Sequence, residues 1–550
     1  MPNQKTSFLR DRSGFVRDFN WVDVFVFNVL GYATGLSLAT NPTILGSYYP
    51  SAQIFPVLII GFLVSLACGL NYGYFSAIMP RNGGDYIFIS RTLGGWVGFI
   101  ANWGFTFSQI YGIGVFSGWA IQLSLSPAFT TFGYVTNNPT CITIGKTLSD
   151  SAPIFWWGLV TLLVCLLLSV LAIKTLKKIL IFLFIIAIIS TFLMCASFFS
   201  CDHESFVLSF NSFMENSQHL SNAYSTILEH AASQGLKLNQ SLNIIEDIAN
   251  GFRALPVGFL IFFGFTYSVY VGGEVRKPQT AQRRGILAAL FFALLVSLIG
   301  MGRYYSVVGR DFNNAVALVK GQEGFLPSSL SSMVFFSGIL IKNSFLNALM
   351  SFGSFLWFFL LPLVMIQISV RNIYSWAFDR NIPGWFGQVS VGNRAWRTTI
   401  VVILLSCVFL ALSIPGFILK NGFPYMNYVA LFSICYALTG LAGAVFPFSR
   451  KTKTIYETAP SFARGTLLGL PKISWVGGIS FVMFTWILIS TITNQKYRSV
   501  VVGVGEDHTP ERLLVAIYVL GIIVWNSKKL WHKGKDDIDP KDLFSQLPPE

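Results

Sequence analysis

The chain's 550 residues are 53% hydrophobic and only 11% charged, well below the roughly 25% charged share of soluble globular domains. That balance excludes a water-facing surface around a single apolar core, and the 52 Phe suit lipid-facing helices with aromatic belts at the membrane interfaces. A net charge of +14 is then read as excess Lys and Arg in membrane-flanking loops, not as a nucleic-acid partner.

Residues 1–20 are polar and charged along their whole length. They lack the apolar run of a cleavable signal peptide, so the first hydrophobic segment is expected to be a permanent span. Spanning a bilayer takes about 20 mostly apolar residues. Segments meeting that need begin near Trp21, Ile54, Leu93, Ile154, Ile179, Arg253, Gly285, Leu340, Thr398, Met426, Trp475 and Leu513, which makes about twelve. With an inside N-terminus, 27 of the 38 Lys and Arg fall on the inner side and 11 on the outer. The positive-inside rule therefore predicts cytoplasmic N- and C-termini in a cell-membrane protein.

The long polar stretch 202–252 is expected outside, with one or two surface helices carrying Phe206, Leu208, Phe213, Leu220, Ile227 and Leu228. Seven Cys are scattered without a CxxC, and the five His show no metal spacing, so no metal or cofactor is expected. A Cys141–Cys201 disulfide stays open. Asn239 heads a glycosylation-like triplet of a kind frequent by chance.

Spans one and six share an irregularity. The first holds Gly31 and Gly35 in mid-membrane, and the sixth holds Gly258, Gly264, Gly272 and Gly273. Gly costs about 1 kcal/mol relative to Ala inside a helix. Close helix packing also uses Gly, so the first segment alone is ambiguous. A separation of five spans, however, gives the second element the opposite orientation, and such a pair points to an inverted-repeat transporter. Broken helices free N–H and C=O groups at the midplane, tolerable only where they line a buried site. Half-helix N-termini suit a carboxylate and freed carbonyls an ammonium group or cation, which fits a zwitterion.

Three stretches carry a family likeness. Pro80, Arg81, Gly83, Gly84, Asp85, Tyr86 and Arg91 follow span two; Gly264, Phe265, Glu274 and Pro278 lie in and after span six; Arg371, Asp379 and Pro383 follow in and after span eight. The chain resembles the APC superfamily of amino acid–polyamine–organocation permeases, with Asp85 where Glu is usual and Ser37 replacing the last Gly of the family's span-one motif. The resemblance implies an all-α membrane protein with the LeuT-type 5+5 inverted repeat, discontinuous helices 1 and 6, and two extra C-terminal helices. The layout expected is an N-terminal tail 1–20, a first repeat 21–201, an outer loop 202–252, a second repeat 253–448, an inner loop 449–474, helices eleven and twelve in 475–527, and a C-terminal tail 528–550.

It also implies secondary transport of an amino acid or related amine by alternating access, proton-coupled symport first, with exchange or Na⁺ coupling as alternatives. Substrate contacts are then expected from Tyr32, Ala33, Thr34, Gly35 and Ser37 in span one and from Phe263, Gly264, Phe265 and Thr266 in span six. Among Asn102, Gln109 and Tyr111 of span three, Tyr111 is the substrate-contact candidate, and interhelical hydrogen bonding competes with that reading. Asp23 and Glu274 are candidates for an inner gate. For coupling, Lys178 stands deepest of Lys174, Lys177 and Lys178, while Ser351 and Ser354 offer hydroxyls for Na⁺. Arg81, Asp85 and Arg91 read as anchors of a short loop.

An intramembrane enzyme is not expected, because HExxH, GxSxG and paired Asp/His at helical spacing are missing from the spans. A channel would want rings or a repeated filter. A non-transporting receptor or scaffold stays open. With no clearly intramembrane carboxylate in the expected pocket, the reading leans to neutral or broadly selected substrates.

Overall fold

The computed structural model describes residues 17–171, 173–240, 243–322, 325, 331–389, 395–419, 428–493, 509–531 and 544. The expectations for residues 1–16, Met426 and most of the C-terminal tail lie outside them, as do Ser241 of the glycosylation-like triplet and Arg394, Lys420, Lys496 and Arg498 of the charge count. Eight of the described helices are long and apolar enough to cross a membrane, with shorter apolar helices at Val429–Val445 and Arg512–Ser527. A helix stands at or within a few residues of each predicted start that is described: Leu93 lies in the turn before Gly95–Trp119, Arg253 ends the helix before Leu255–Phe262, and Leu340 ends the one before Ser344–Phe378. The protein is an all-α, multi-pass membrane protein.

Span one is two helices, Trp21–Tyr32 and Thr34–Tyr48, broken at Ala33 in the left-handed region (φ 47°). Span six keeps one short helix, Leu255–Phe262, then runs through Gly264 (φ 85°) into 3-10 turns at Tyr267–Tyr270 and Gly272–Glu274. An L-residue in the left-handed region costs about 1–2 kcal/mol, so the break at Ala33 persists only because its surroundings fix it.

The other spans surround this pair: Ile54–Ile78, Gly95–Trp119, Ser151–Ser169, Ile173–Phe199, Pro278–Val308, Ser344–Phe378, Trp396–Ser413, Tyr428–Val445, Lys472–Thr493 and Thr509–Trp531. Burial ranks them. Span one and span eight (Ser344–Phe378) are 89% and 78% buried, against 28% for spans four and eleven, so the first pair is central and the second faces outward.

Three boundaries differ from the expectation. Span three continues through a π-turn, Ala120–Leu125, into Ser126–Val135. Span five begins at Ile173, which places Lys174, Lys177 and Lys178 in helical turns. Leu340 ends a separate short helix, Met333–Leu340, and span eight starts at Ser344.

The side opposite the N-terminus carries His203–Gln218, Ala223–Ser233, Ile244–Arg253 and Arg310–Val319. Phe206, Phe213 and Ile227 bury there as expected, but Leu208 is exposed. Cys141 and Cys201 are both free thiols. Phe544 of the C-terminal tail docks on Trp525 (ring centroids 6.3 Å apart) and under the Arg91 guanidinium at 5.4 Å.

Candidate functional site

The two breaks meet backbone to backbone. A methyl group on Gly31 would sit 2.6 Å from the Gly264 carbonyl oxygen and 2.7 Å from the Tyr267 ring, and one on Gly264 would strike the Gly31 carbonyl. Both positions need glycine because main chain fills the place a side chain would take. Gly35 is covered in the same way by Trp357 of span eight, whose indole N–H reaches Ala187 O (3.1 Å) and Thr191 Oγ1 (2.9 Å) of span five.

Poorly bonded polar groups collect around this crossing. The helix Thr34–Tyr48 has Ala33 at its N-cap, whose methyl side chain cannot accept a capping hydrogen bond. Thr34 Oγ1 is buried and makes no well-formed hydrogen bond, and the same holds for Asn28 Nδ2, the Gln109 amide and the Tyr267 hydroxyl. Gln109 faces the Tyr267 hydroxyl and Thr34 faces Tyr32, each close enough for a weak hydrogen bond. Asn28 Oδ1 is already engaged, accepting from the Ser268 N–H at 2.8 Å. Buried polar atoms without well-formed hydrogen bonds cost roughly 1–3 kcal/mol each, and a polar ligand here would offset that cost. Donor N–H groups at an uncapped helix N-terminus, hydroxyls and an amide suit the carboxylate and amine of an amino acid.

The expected contacts divide. Thr34, Gly35 and Gly264 are at the crossing, and Ala33 forms the break. Ser37 instead donates to Ile261 O (3.1 Å) and accepts from Asn41 Nδ2 (2.8 Å), joining spans one and six. Tyr32 faces span seven, its hydroxyl donating to Ala289 O at 3.3 Å. Phe263 is half-buried between Tyr267 and Phe432, with centroids 5.7 and 4.3 Å away. Phe265 and Thr266 turn toward span ten: Thr266 Oγ1 is 2.8 Å from Tyr436 OH, and the Phe265 ring packs on Tyr436. Tyr111 belongs to a separate apolar cluster with Val115, Leu431 and Ile517. Asn102 serves interhelical bonding, donating to Asp85 and accepting from Trp376 Nε1.

Asn28, Tyr267 and Trp357 were missed. Asn28 was legible, as an amide in an apolar half-helix. Trp357 and Tyr267 carried no signal among so many aromatics.

The N-terminal side is closed by ion pairs. Asp18 meets Arg276 (2.6 Å) and Lys177 (3.0 Å), and Asp23 meets Lys177 at 3.3 Å while capping its own helix with Asn20. Glu274, fully buried, pairs with Arg371 of span eight at 2.9 Å. Backbone bonds add to these: Asp18 and Phe19 donate to Glu274 O, and Arg276 donates to Phe19 O at 2.7 Å. Both gate candidates thus hold partners from other spans. Lys178, the expected coupling residue, is exposed; its neighbour Lys177 turns inward, since successive helical residues are rotated by about 100°.

The remaining motif residues converge on the same side. Arg91 grips Asp379 with two bonds (2.6 and 3.0 Å), Tyr86 OH reaches that carboxylate at 2.7 Å, and Gly83 N donates to Tyr270 O. Ser351 is spent on Asn347 of its own helix at 3.5 Å, and Ser354 is buried one turn before Trp357. On the opposite side, Thr43 donates to Ser331 O (2.6 Å), Asn313 to Pro42 O (2.9 Å) and Asn314 to Pro50 O (2.9 Å). The crossing is therefore enclosed from both ends.

Among the described residues no three His, Cys, Asp or Glu are grouped to hold a metal ion. Comparison of the sequence with curated proteins finds no match. The model of the family described as amino acid permease matches residues 19–525, nearly the whole chain, including both broken spans and all three motif stretches. The protein belongs to the amino acid permease family of the APC superfamily.

Proposed function

We propose that the protein is a proton-coupled amino acid symporter of the cell membrane, working by alternating access, with both termini cytoplasmic and two inverted repeats at 21–201 and 253–448. One observation carries the reading: the breaks of spans one and six interlock at Gly31 and Gly264, beside an uncapped helix N-terminus and the Thr34, Asn28, Gln109 and Tyr267 polar groups, which have no well-formed hydrogen bonds. A zwitterion entering there would answer those groups, its carboxylate on the Thr34–Leu36 N–H groups and Thr34 hydroxyl.

The ion pairs on the N-terminal side form the inner gate and the Asn313–Asn314 lattice the outer. In some relatives of this fold a lysine early in span five occupies the place of a sodium ion, which permits proton coupling. Here Lys177 is the inward one, paired with Asp18 and Asp23 at the gate, and the proton is chosen over Na⁺ on the likeness to those relatives. The chain's amino acid is neutral or broadly selected, since the carboxylates near the crossing are already engaged.

Purified protein in liposomes, given labelled amino acids with and without imposed pH or Na⁺ gradients, tests the reading. Saturable uptake driven by an inside-alkaline gradient is expected. Neither uptake nor counterflow of any amino acid would overturn it, and uptake driven by Na⁺ alone would overturn the proton assignment.

A further inference from the structure

Asp85, in the short helix Asp85–Thr92 between spans two and three, is fully buried. Its Oδ1 accepts from Asn102 Nδ2 (2.7 Å). Its Oδ2 accepts from Tyr270 OH (2.6 Å), Cys435 Sγ (3.0 Å) and Tyr72 OH (3.3 Å). Among the described residues no Lys, Arg or His forms an ion pair with it, and Arg91 on the same helix is committed to Asp379. The titratable groups facing it are Tyr72 and Cys68 of span two, Tyr270 of span six, and Cys435 and Tyr436 of span ten. None of these carries positive charge. Every other buried carboxylate named above has a cation, so Asp85 stands apart.

The hydrogen-bond partners accommodate a neutral acid as well as a carboxylate. Tyr72 OH is also 3.3 Å from Thr439 Oγ1, which itself donates to Cys435 O at 2.9 Å. If Oδ2 carries a proton it donates to the Tyr72 oxygen, Tyr72 donates to Thr439, and Thr439 keeps its bond to Cys435. One O–H bond forms on Oδ2 as one breaks in a hydronium ion, which leaves as water, and no other covalent bond changes.

Asp85 also bears on the inner gate. Tyr270 belongs to the 3-10 segment of span six, and that segment is tied to the loop before Asp85 by Gly83 N to Tyr270 O and Gly273 N to Asn82 Oδ1. Withdrawal of the segment takes away a donor and lets water reach the carboxyl. Resting on the transport reading above, we infer that Asp85 is the proton-carrying site of the transport cycle, loaded while the N-terminal side is closed and unloaded to that side when the gate opens.

Burial lifts the carboxyl above its ordinary value of 3.8, and bonds from Cys435, Tyr270, Asn102 and Tyr72 pull it only part of the way back. A carboxyl that binds its proton more tightly when buried favours the closed gate when protonated, in the window between 3.8 and the raised value. Opening into water returns the carboxyl toward its ordinary value and releases the proton.

The test uses the full chain in liposomes. Asp85→Asn, a neutral isostere, is expected to lose stimulation by an inside-alkaline gradient while amino acid counterflow persists. Asp85→Glu should recover the stimulation, and Tyr72→Phe, which removes a hydrogen-bond donor to the carboxylate, should move the pH dependence of uptake to higher pH. Infrared difference spectra between neutral and acidic pH should show a protonated-carboxyl band in the unmodified protein that is missing from Asp85→Asn. Gradient stimulation of Asp85→Asn equal to that of the unmodified protein would overturn the inference, as would an unchanged carboxyl band. If the unmodified protein transports no amino acid, the transport reading fails by itself, and the infrared titration still decides whether Asp85 takes up a proton.

Discussion

Gly31 and Gly264 occupy each other's missing side-chain space, and this fixes what either position tolerates. Gly264 also has φ 85°, where an L side chain is strained by about 1–2 kcal/mol. Gly264→Ala is therefore expected to insert and express, to lower thermal stability in detergent, and to cut uptake to background, because the Gly31 carbonyl cannot retreat without moving span one. Full uptake by that variant would refute the site. Gly35 makes a parallel case against Trp357. Sequence reading marks all three glycines as unusual, since glycine is costly inside a helix. Which atoms press on each was not legible, because Gly31 and Gly264 are more than 230 residues apart and Trp357 resembles any other aromatic in an apolar run.

Span five shows how an element decides between neighbours. Lys174, Lys177 and Lys178 look equivalent as a charge cluster, but the helix starting at Ile173 turns Lys177 toward Asp18 and Asp23 and leaves Lys178 exposed. Lys177→Ala should loosen the N-terminal latch by about 1 kcal/mol, a modest figure because the lysine is partly solvated. Lys178→Ala should be nearly silent. Thermal melting and the ratio of protein open to protein closed on the N-terminal side, read by a fluorophore on the N-terminal segment, separate the two.

The latch has a pH signature as well. Burial pushes the Asp18 carboxyl upward, but the hydrogen bond and charge of Lys177, with Arg276 and Lys174, outweigh it and hold the carboxyl below 3.8. A depressed carboxyl contributes fully above its unpaired value and loses that contribution as pH falls through the depressed one. The latch should hold down to pH below 3.8 in the unmodified protein and fail at higher pH in Lys177→Ala.

At the scale of the molecule, the three motif stretches are parts of one closure. Arg91 and Asp379 join the first to the third, Glu274 and Arg371 the second to the third, and Gly83 and Tyr270 the first to the second. Removing one partner of a buried ion pair costs about 3–5 kcal/mol, since the other charge is stranded. Cys435 lies fully buried behind this closure, in contact with Asp85. With the partly exposed Cys141, Cys201 and Cys407 changed to Ser, labelling of Cys435 by a membrane-permeant maleimide should be slow. Glu274→Gln should accelerate it by about tenfold or more, the equilibrium worth of about 1.4 kcal/mol. An unchanged rate would show that the Glu274–Arg371 pair does not hold the gate.

Class, span positions and the irregularity of spans one and six were determined by the sequence alone, because each depends on local composition: a bilayer demands long apolar runs, and glycine in a helix is locally costly. Burial order, pairing and rotation were decided only by the tertiary structure. Asp85, read as a loop anchor, emerged as a carboxyl with four donors from four different elements, and Lys177 displaced Lys178 by a single step of helical rotation. Such features depend on which faces of distant helices meet, and no stretch of sequence contains that information. The glycine pair belongs to both levels: its positions are local, but the interlocking that requires them exists only once span one lies against span six.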